Sequence, residues 1–296
     1  MNDNDSQKPV NMYDDYLITW TKPLMNGSPP SARGGHTCIF SENKLVLFGG
    51  HFFSSDGSFT YLNDTHVLDL ETSTWRAVKC RGQIPAGRYN HGASLMGNRL
   101  FVYGGRGAKG TVFNDMYFLD LEDWTWYDVQ WTSASPPGRY DHGQTAVGSK
   151  MVISGGWDGK VSYNDLWVFD TDSFTWLQPE TVNKAPQARH GHTMVMLPDG
   201  SLCLQGGYSV RPKKTPIYHS DMWSLSTQSM QWSRPRLEGT APQARFGHTC
   251  VVSEDLCFVI GGWSGTEKNH INLGDKALRA QAARDAREKV MIKVLF

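Results

Sequence analysis

The sequence has little cysteine and no recognisable cysteine motif. Its five cysteines are odd in number, include no C-x-x-C pair, and lie mostly in apolar runs such as HTCIF and HTCVV. Thiols in such surroundings are typical of small buried side chains in a reducing compartment, whereas a disulfide framework or a zinc site needs paired, regularly spaced cysteines. The sequence therefore predicts neither disulfides nor a thiolate metal site.

An excess of charge is also absent, because 29 Lys and Arg residues balance 29 Asp and Glu residues in the 296-residue chain. A neutral chain creates no overall field that would attract nucleic acid or an anionic membrane. No apolar stretch approaches the roughly 18 residues that a transmembrane helix needs. We expect no nucleic-acid partner, no membrane insertion, and a cytoplasmic location with the nucleus as the alternative.

What recurs along the chain is a pair of glycines that ends an apolar run. The five pairs are Gly49-Gly50, Gly104-Gly105, Gly155-Gly156, Gly206-Gly207 and Gly261-Gly262. They follow one another at intervals of 51 or 55 residues. A fixed period of this length indicates a repeat architecture.

A tryptophan and an arginine recur with the same period, and the arginine always stands 13 residues after the tryptophan. The pairs are Trp20/Arg33, Trp75/Arg88, Trp126/Arg139, Trp176/Arg189 and Trp232/Arg245. Each arginine opens an R-x-x-H motif and lies 16 or 17 residues before the first glycine of a pair. The distance from that glycine to the next tryptophan varies from 21 to 26 residues. The stretch after each glycine pair is therefore predicted to be a surface loop.

Each unit contains four short segments with strand character. In the first unit they are HTCIF, KLVLFGG, THVLDL and TWRAVKC. Four short antiparallel strands with no helix between them describe a propeller blade, which buries its faces only against neighbouring blades.

The ordered set of R-x-x-H, glycine pair, Asn-Asp and fourth-strand tryptophan resembles the kelch repeat from about Leu17 to Gly262. The Asn-Asp element stands at Asn63-Asp64, Asn114-Asp115 and Asn164-Asp165, with Ser220-Asp221 in the fourth unit. The resemblance implies an all-β kelch β-propeller of the kelch-only type, without a BTB or F-box domain.

We predict a propeller over residues 16–275, with about five blades of four antiparallel strands. The repeats lie near 33–78, 88–130, 139–178, 189–235 and 245–275. The last unit lacks a fourth-strand tryptophan, and a lone fourth strand at residues 16–23 is predicted to complete it and close the ring. Kelch propellers more often have six or seven blades, so a truncated ring is the alternative.

The two ends of the chain differ in composition from the repeats. Residues 1–15 are predicted to be a disordered acidic segment, and residues 276–296 a basic tail. The tail is rich in Ala and Arg with apolar residues at helical spacing, which predicts a peripheral helix. An alternative is that residues 290–296 return as a strand and supply the third strand of the last blade.

The loops after the glycine pairs contain the first group of candidate partner-binding residues, because aromatic and arginine side chains are common interface anchors. These residues are Arg106, Trp157, Tyr208 and Trp263, which directly follow a glycine pair, and Arg211 and Lys213 in the densest basic cluster. The alternative is that these side chains pack on their own loops.

The repeated arginines form a second group, with two interpretations. Arg88, Arg139, Arg189 and Arg245 would form an electropositive face for an acidic peptide, as the resemblance to kelch domains that capture acidic motifs implies. Alternatively, each arginine is bound to the aspartate of its own Asn-Asp element. These aspartates are Asp64, Asp115, Asp165 and Asp221.

The repeated histidines occupy the same place in every unit, which favours a repeated structural hydrogen bond over a metal ring. They are His36, His91, His142, His192 and His248. The fourth-strand tryptophans are predicted to fill the space between blades.

The functional prediction is a non-catalytic, monomeric scaffold or adaptor. It would bind a partner protein or peptide on the propeller faces that the loops form, and the first interpretation of the arginines requires this partner to be acidic. The sequence contains no nucleophile elbow, metalloprotease helix or P-loop, so we predict no catalytic residue, no metal and no cofactor. The alternative is a propeller enzyme or small-ligand binder that uses the central channel, like galactose-oxidase-like or specifier proteins. Neither the partner nor the pathway follows from the fold.

Overall fold

The computed structural model describes residues 22–55, 57–210, 215–237, 241–253 and 256–264. Within these ranges the regular structure is all β, apart from one short 3-10 turn at Ala108–Gly110. The all-β prediction is confirmed. The predicted acidic segment, the helical tail and most of the predicted closing strand at 16–23 lie outside the described residues.

The first two blades each contain four antiparallel strands and a short outermost strand that is parallel to the fourth. The first blade consists of β1 (Asn26–Gly27), β2 (Thr37–Ser41), β3 (Lys44–Phe53), β4 (Phe59–Asp69) and β5 (Thr74–Val78). The second consists of β6 (Arg81–Gly82), β7 (Gly92–Met96), β8 (Arg99–Tyr103), β9 (Met116–Asp120) and β10 (Thr125–Asp128).

The next two blades have the same four antiparallel strands, and the fifth is described for its first two. The third blade consists of β11 (Gly143–Val147), β12 (Lys150–Ser154), β13 (Leu166–Asp170) and β14 (Thr175–Leu177). The fourth consists of β15 (Thr193–Met196), β16 (Leu202–Gln205), a loop hairpin of β17 (Tyr208–Ser209) and β18 (Ile217–Tyr218), β19 (Met222–Leu225) and β20 (Trp232–Ser233). The fifth consists of β21 (Thr249–Ser253) and β22 (Leu256–Ile260).

The turn between the third and fourth strands follows from the D-x-x-x-x-x-W pattern. In the third blade, Asp170 Oδ1 accepts hydrogen bonds from the backbone N–H groups of Asp172 at 3.0 Å and Ser173 at 3.1 Å. A carboxylate that bonds its own backbone fixes such a turn and directs the chain back into the sheet. Trp176 then enters the fourth strand.

The core lies between blades, as expected for units that cannot bury both faces alone. Trp126 of the second blade is 1% exposed and packs on Phe48 of the first, with ring centroids 4.7 Å apart. Trp176 of the third blade is 3% exposed and packs on Tyr103 of the second at 5.2 Å. Each of these tryptophans therefore fills the space toward the preceding blade.

Four backbone hydrogen bonds join successive blades at the glycine pairs. In each, the second glycine donates to the carbonyl of the next blade's repeated arginine. The pairs are Gly50 to Arg88 at 2.8 Å, Gly105 to Arg139 at 2.8 Å, Gly156 to Arg189 at 2.9 Å and Gly207 to Arg245 at 2.7 Å. The repeated motifs thus form the seams of the ring as well as the blades.

The seam between the fifth and first blades differs from the others. Among the described residues, Gly262 makes no equivalent bond to Arg33. His36 is exposed, whereas its four equivalents are at most 8% exposed, and Phe40 beside it is 59% exposed. The described residues therefore do not close the ring, and closure through residues 16–23 stays a prediction.

Candidate protein-binding face

The repeated arginines are the largest buried charged side chains, and four of them are bound to the aspartate of their own Asn-Asp element. Arg88 and Arg139 are 0% exposed and Arg189 is 2% exposed. The closest contacts are Arg33–Asp64 at 2.5 Å, Arg88–Asp115 at 2.6 Å, Arg139–Asp165 at 2.6 Å and Arg189–Asp221 at 2.5 Å. This geometry corresponds to the blade-internal interpretation of the arginines.

In Arg139, all three guanidinium nitrogens donate hydrogen bonds. Its Nη1 and Nη2 donate to the two carboxylate oxygens of Asp165 at 2.6 and 2.8 Å. Nη1 also donates to the carbonyl of Gly155 at 2.7 Å, and Nε to that of Pro137 at 3.1 Å. A bidentate, charge-assisted pair of this kind is among the strongest contacts a buried arginine can make.

The ionisation of Asp221 depends on the same kind of contact. Burial opposes ionisation of Asp221, but the hydrogen bonds and charge of Arg189, with a bond from Trp223, lower the pKa of this carboxyl below its ordinary value. Asp221 therefore stays ionised in the folded protein and holds Arg189 in place. These guanidinium groups are directed into the blades and not toward a partner.

Arg245 differs from its equivalents, because no carboxylate among the described residues binds it. Its Nη1 donates to the carbonyl of Gly261 at 2.7 Å. Arg211 and Lys213 of the basic loop cluster lie outside the described residues. The binding roles predicted for these residues stay predictions.

The residue after each glycine pair is placed by a second repeated contact. It forms an isolated antiparallel bridge with the residue that follows the repeated arginine of its own blade. The bridges are Gly34/His51, Tyr89/Arg106, Tyr140/Trp157, His190/Tyr208 and Phe246/Trp263. Four predicted residues, Arg106, Trp157, Tyr208 and Trp263, therefore lie at equivalent places around one end of the channel.

These bridged residues form a band rich in aromatic rings, which we call the rim. Four of the five residues that follow a glycine pair contact the ring of the following blade. The contacts are His51 to Tyr89 at 4.4 Å, Arg106 to Tyr140 at 5.5 Å, Trp157 to His190 at 5.0 Å and Tyr208 to Phe246 at 5.3 Å. The rim side chains of Arg106, Trp157 and Tyr208 are half-buried.

A second set of backbone bonds follows the channel from the first to the fifth blade. In four blades, the residue before the repeated histidine donates its N–H to the carbonyl of its counterpart in the preceding blade. The links are Asn90 to Gly35 at 2.7 Å, Asp141 to Asn90 at 2.9 Å, Gly191 to Asp141 at 2.7 Å and Gly247 to Gly191 at 2.8 Å. All five residues have positive φ, from 52° to 64°.

This chain of residues lines an open cavity of about 500 Å³ at the channel mouth. All five blades contribute to its wall, including the five repeated histidines, Asn90 and Asp141. Within the described ranges, no three His, Cys, Asp or Glu side chains are arranged to hold a metal ion. The part of the cavity wall that the structure describes is therefore polar, and Asp141 is its one carboxylate.

The repeated histidines connect blades and do not converge on one point. His91 Nε2 lies 2.9 Å from Thr37 Oγ1 of the first blade, and His248 Nε2 lies 3.0 Å from Thr193 Oγ1 of the fourth. The predicted repeated hydrogen bond therefore exists at these two seams, but it crosses to the preceding blade. At the other described seams glycine replaces the threonine, at Gly92 and Gly143.

These buried histidines predict a loss of stability in acid. Burial lowers the pKa of His142 to about 3 and that of His248 to about 4. A folded-state pKa below the unfolded value means that unfolding takes up protons, so their contribution is full above about pH 6.5 and is lost as the pH falls toward 4. Burial raises the pKa of Asp141 to about 7, which acts in the opposite direction.

We therefore expect the melting temperature to fall between pH 7 and pH 4.5, because several histidines outweigh one aspartate. Each net proton taken up on unfolding contributes about 1.4 kcal/mol per pH unit. Calorimetry across this range checks the expectation, and His248→Gln should flatten the curve. A melting temperature that rises toward pH 4.5 would contradict it.

Comparison with known proteins agrees with the repeat geometry. The KLHDC2/KLHL20/DRC7 Kelch-repeats domain family matches residues 2–95 and 53–262. The chain belongs to this kelch-repeat family. The kelch chain is also 30% identical over 284 residues to Kelch domain-containing protein 3 of Rattus norvegicus, covering 92% of this chain and 59% of that protein.

Two further relatives share shorter or weaker similarity with the kelch chain. Host cell factor 2 of Homo sapiens is 27% identical over 264 residues, covering 83% of this chain and 33% of that protein. Acyl-CoA-binding domain-containing protein 4 of Arabidopsis thaliana is 34% identical over 151 residues, covering 51% and 22% respectively. The kelch chain thus spans less than two thirds of each of these relatives.

Among solved structures, that of YjhT matches with a TM-score of 0.66 and 16% sequence identity, covering 79% of this chain and 78% of that chain. At this identity the likeness shows the propeller fold alone. No helix in the described part of the kelch chain is long and apolar enough to cross a membrane. The cytoplasmic location stays a prediction.

The sequence reasoning missed half of the rim. Tyr89, Tyr140, His190 and Phe246 follow the repeated arginines, and their contribution was not predicted. The signal was available, because the position after the arginine in R-x-x-H is a ring in four of five units. Asp141 was missed because its role depends on the channel, which no single repeat contains.

Proposed function

We propose that the protein is a non-catalytic, monomeric interaction module that holds a segment of a partner protein on the rim around the channel mouth. The observation that carries this proposal is the rim itself. Five loops of variable length present their first side chain at equivalent positions, and three of these side chains, Arg106, Trp157 and Tyr208, are half-buried and stacked on neighbouring rings. Rigid aromatic and arginine anchors of this kind are favoured at interfaces because little side-chain entropy is lost on binding.

An acidic group on the partner is a finer version of the proposal. Three of the four arginines first considered for it, Arg88, Arg139 and Arg189, are buried in aspartate pairs. Arg245 stays a candidate, and Arg106 at the rim is an additional one. The guanidinium of Arg106 lies near the Tyr140 hydroxyl at 3.4 Å and forms no ion pair with any described residue. A partner carboxylate would therefore find Arg106 available at the rim.

The test is affinity capture with rim variants. Trp157→Ala combined with Tyr208→Ala is expected to reduce the amount of captured partner at least tenfold, because such anchors each contribute about 2 kcal/mol or more. Quantitative mass spectrometry of proteins bound to the wild type and to the variant gives the measurement. Partners that depend on an acidic segment should also be reduced by Arg106→Ala.

A matched control removes an aromatic ring away from the rim. Tyr127 lies on the outer strand β10 and is 42% exposed, so Tyr127→Ala should leave capture unchanged. Unfolding temperatures of all variants establish that the folds are intact. Equal capture by the wild type and the folded rim variant would refute the proposal.

A further inference from the structure

The pocket inside the rim contains a carboxylate that the proposed interaction does not use. We infer that this pocket binds a primary ammonium group, such as a lysine side chain of the partner, with Asp141 as its counter-ion. The inference adds a ligand class to the proposed function. Identifying the ammonium group as a lysine of the partner rests on that proposed function. It also reverses the charge that the sequence suggested for the partner at the channel.

Asp141 is held in place by its backbone. Its N–H donates to the Asn90 carbonyl at 2.9 Å, and its carbonyl accepts from Gly191 at 2.7 Å. Its φ is 55°, a left-handed conformation that glycine, asparagine and aspartate adopt more readily than most residues. The equivalent positions carry Gly35, Asn90, Gly191 and Gly247. Asp141 is thus the one ionisable residue in this circle of five, and it lines a pocket to which all five blades contribute.

No described lysine or arginine forms an ion pair with Asp141. Burial raises its pKa to about 7, despite a hydrogen bond from Asn90 and the charge of Arg106. The cost of desolvation is thus larger than the compensation that the protein supplies. A bound cation would remove this imbalance, since it stabilises the ionised carboxylate directly.

The remaining pocket wall suits an ammonium ion. Among the described residues, twelve line the pocket and none of these is Lys or Arg. Burial lowers the pKa of His142 and His248 to about 3 and about 4, and that of His91 and His192 well below the ordinary value, so these rings stay uncharged near neutrality. His192 is 5% exposed, and neither of its ring nitrogens has a partner among the described residues. Unused polar groups at a pocket wall are the acceptors that an ammonium ion requires.

Other titratable groups near Asp141 do not produce the same pH dependence. Burial raises the pKa of Tyr89 and Tyr140 above the ordinary tyrosine value, and that of Cys38 above the ordinary thiol value. Burial lowers the pKa of His36. Between pH 6 and pH 8, Asp141 is thus the pocket group expected to change charge most. Its ionised fraction rises about tenfold over that range, and ammonium affinity should rise with it.

The test uses N-α-acetyl-lysine amide as the probe and the full chain, with binding measured by calorimetry and by the Asp141 carboxyl signal in NMR. We expect saturable binding with a Kd of about 1 mM, a weak affinity that suits a single charged contact in a preformed site. Affinity should be about tenfold higher at pH 8 than at pH 6, and the probe should lower the pKa of Asp141. N-α-acetyl-norleucine amide, which has the same chain without the charge, should not bind.

Asp141→Asn should abolish probe binding while the protein remains folded, because Asn90 already adopts the same backbone conformation in the second blade, with φ of 52°. Asp158→Asn, which removes a carboxylate from the adjacent loop, should leave it unchanged. Binding that is absent up to about 20 mM, independent of pH, or retained by Asp141→Asn would overturn the inference. A wild-type protein that captures its partner but does not bind the probe would refute this inference alone, whereas rim variants that keep their partners would refute the proposed function.

Discussion

Replacing Arg139 with alanine is expected to lower the free energy of unfolding by about 3–5 kcal/mol, because removal of one partner from a buried ion pair leaves the other without compensation. Arg139 is 0% exposed and donates twice to Asp165, whose side chain is 18% exposed. The same substitution removes the bond to Gly155 at 2.7 Å. Denaturant titration of the variant and the wild type gives the measurement.

Two variants separate the ion pair from a general effect of arginine truncation. Arg106→Ala removes a half-buried arginine that binds no described carboxylate, and it should cost less than about 1 kcal/mol. The double variant Arg139→Ala with Asp165→Ala should cost less than the sum of the single changes, because the two side chains act as one unit. A folded Arg139→Ala protein within about 1 kcal/mol of the wild type would restore the interpretation of the arginines as a ligand-binding ring.

Replacing Gly156 with alanine is expected to lower the free energy of unfolding by about 3–5 kcal/mol. An added Cβ would lie 2.8 Å from the Cβ of His142 and 3.1 Å from the Tyr140 carbonyl oxygen. Both atoms belong to the R-x-x-H segment of the same blade, and neither is the end of a flexible side chain, so the packing of the glycine pair against this segment must shift. Crowding of this type costs about 1–3 kcal/mol, and the φ of +101° adds backbone strain of about 1–3 kcal/mol.

Gly159 provides a matched control three residues further along the same loop. Its φ of +97° is nearly the same, but an added Cβ would meet no described atom within 4 Å. Gly159→Ala should therefore show the backbone strain alone, and the difference between the variants measures the close contact of Gly156 with Tyr140 and His142 in the same blade. Thermal or denaturant unfolding of both variants gives the comparison. Equal losses of stability would mean that Gly156 is required for its φ and not for this close contact.

The repeats predicted the blade well because each local signal agrees with the same structure. Period, strand pattern, the Asp turn and the Arg/Asp co-occurrence can all be read within one unit of about 50 residues. The pairing of Arg88 with Asp115 and of Arg139 with Asp165, one of the two interpretations of these arginines, is present in the structure. Both partners recur together in the first four units. Consistency across local levels is what makes a fold readable from sequence.

Features between blades were harder to predict, because their partners lie in different units. The contact from His91 to Thr37 spans 54 residues of the chain. The hydrogen bond from Gly191 to Asp141 joins two equivalent positions of neighbouring repeats, and an alignment of the repeats does not show that such positions are bonded to each other. Asp141 stands out as the single ionisable member of its circle only after the blades are assembled. The partner-binding residues were predicted in part, since the position after the glycine pair is visible in the sequence and its stacking partner is not.

The central claim is that a partner is held on the rim, and photo-crosslinking from defined positions tests it most directly. A photoreactive phenylalanine analogue is placed at Trp157 on the rim and, for comparison, at Tyr127 on the outer strand β10. The account predicts a covalent product with the captured partner from position 157 and none from position 127. Crosslinking from position 127 with none from position 157 would contradict it.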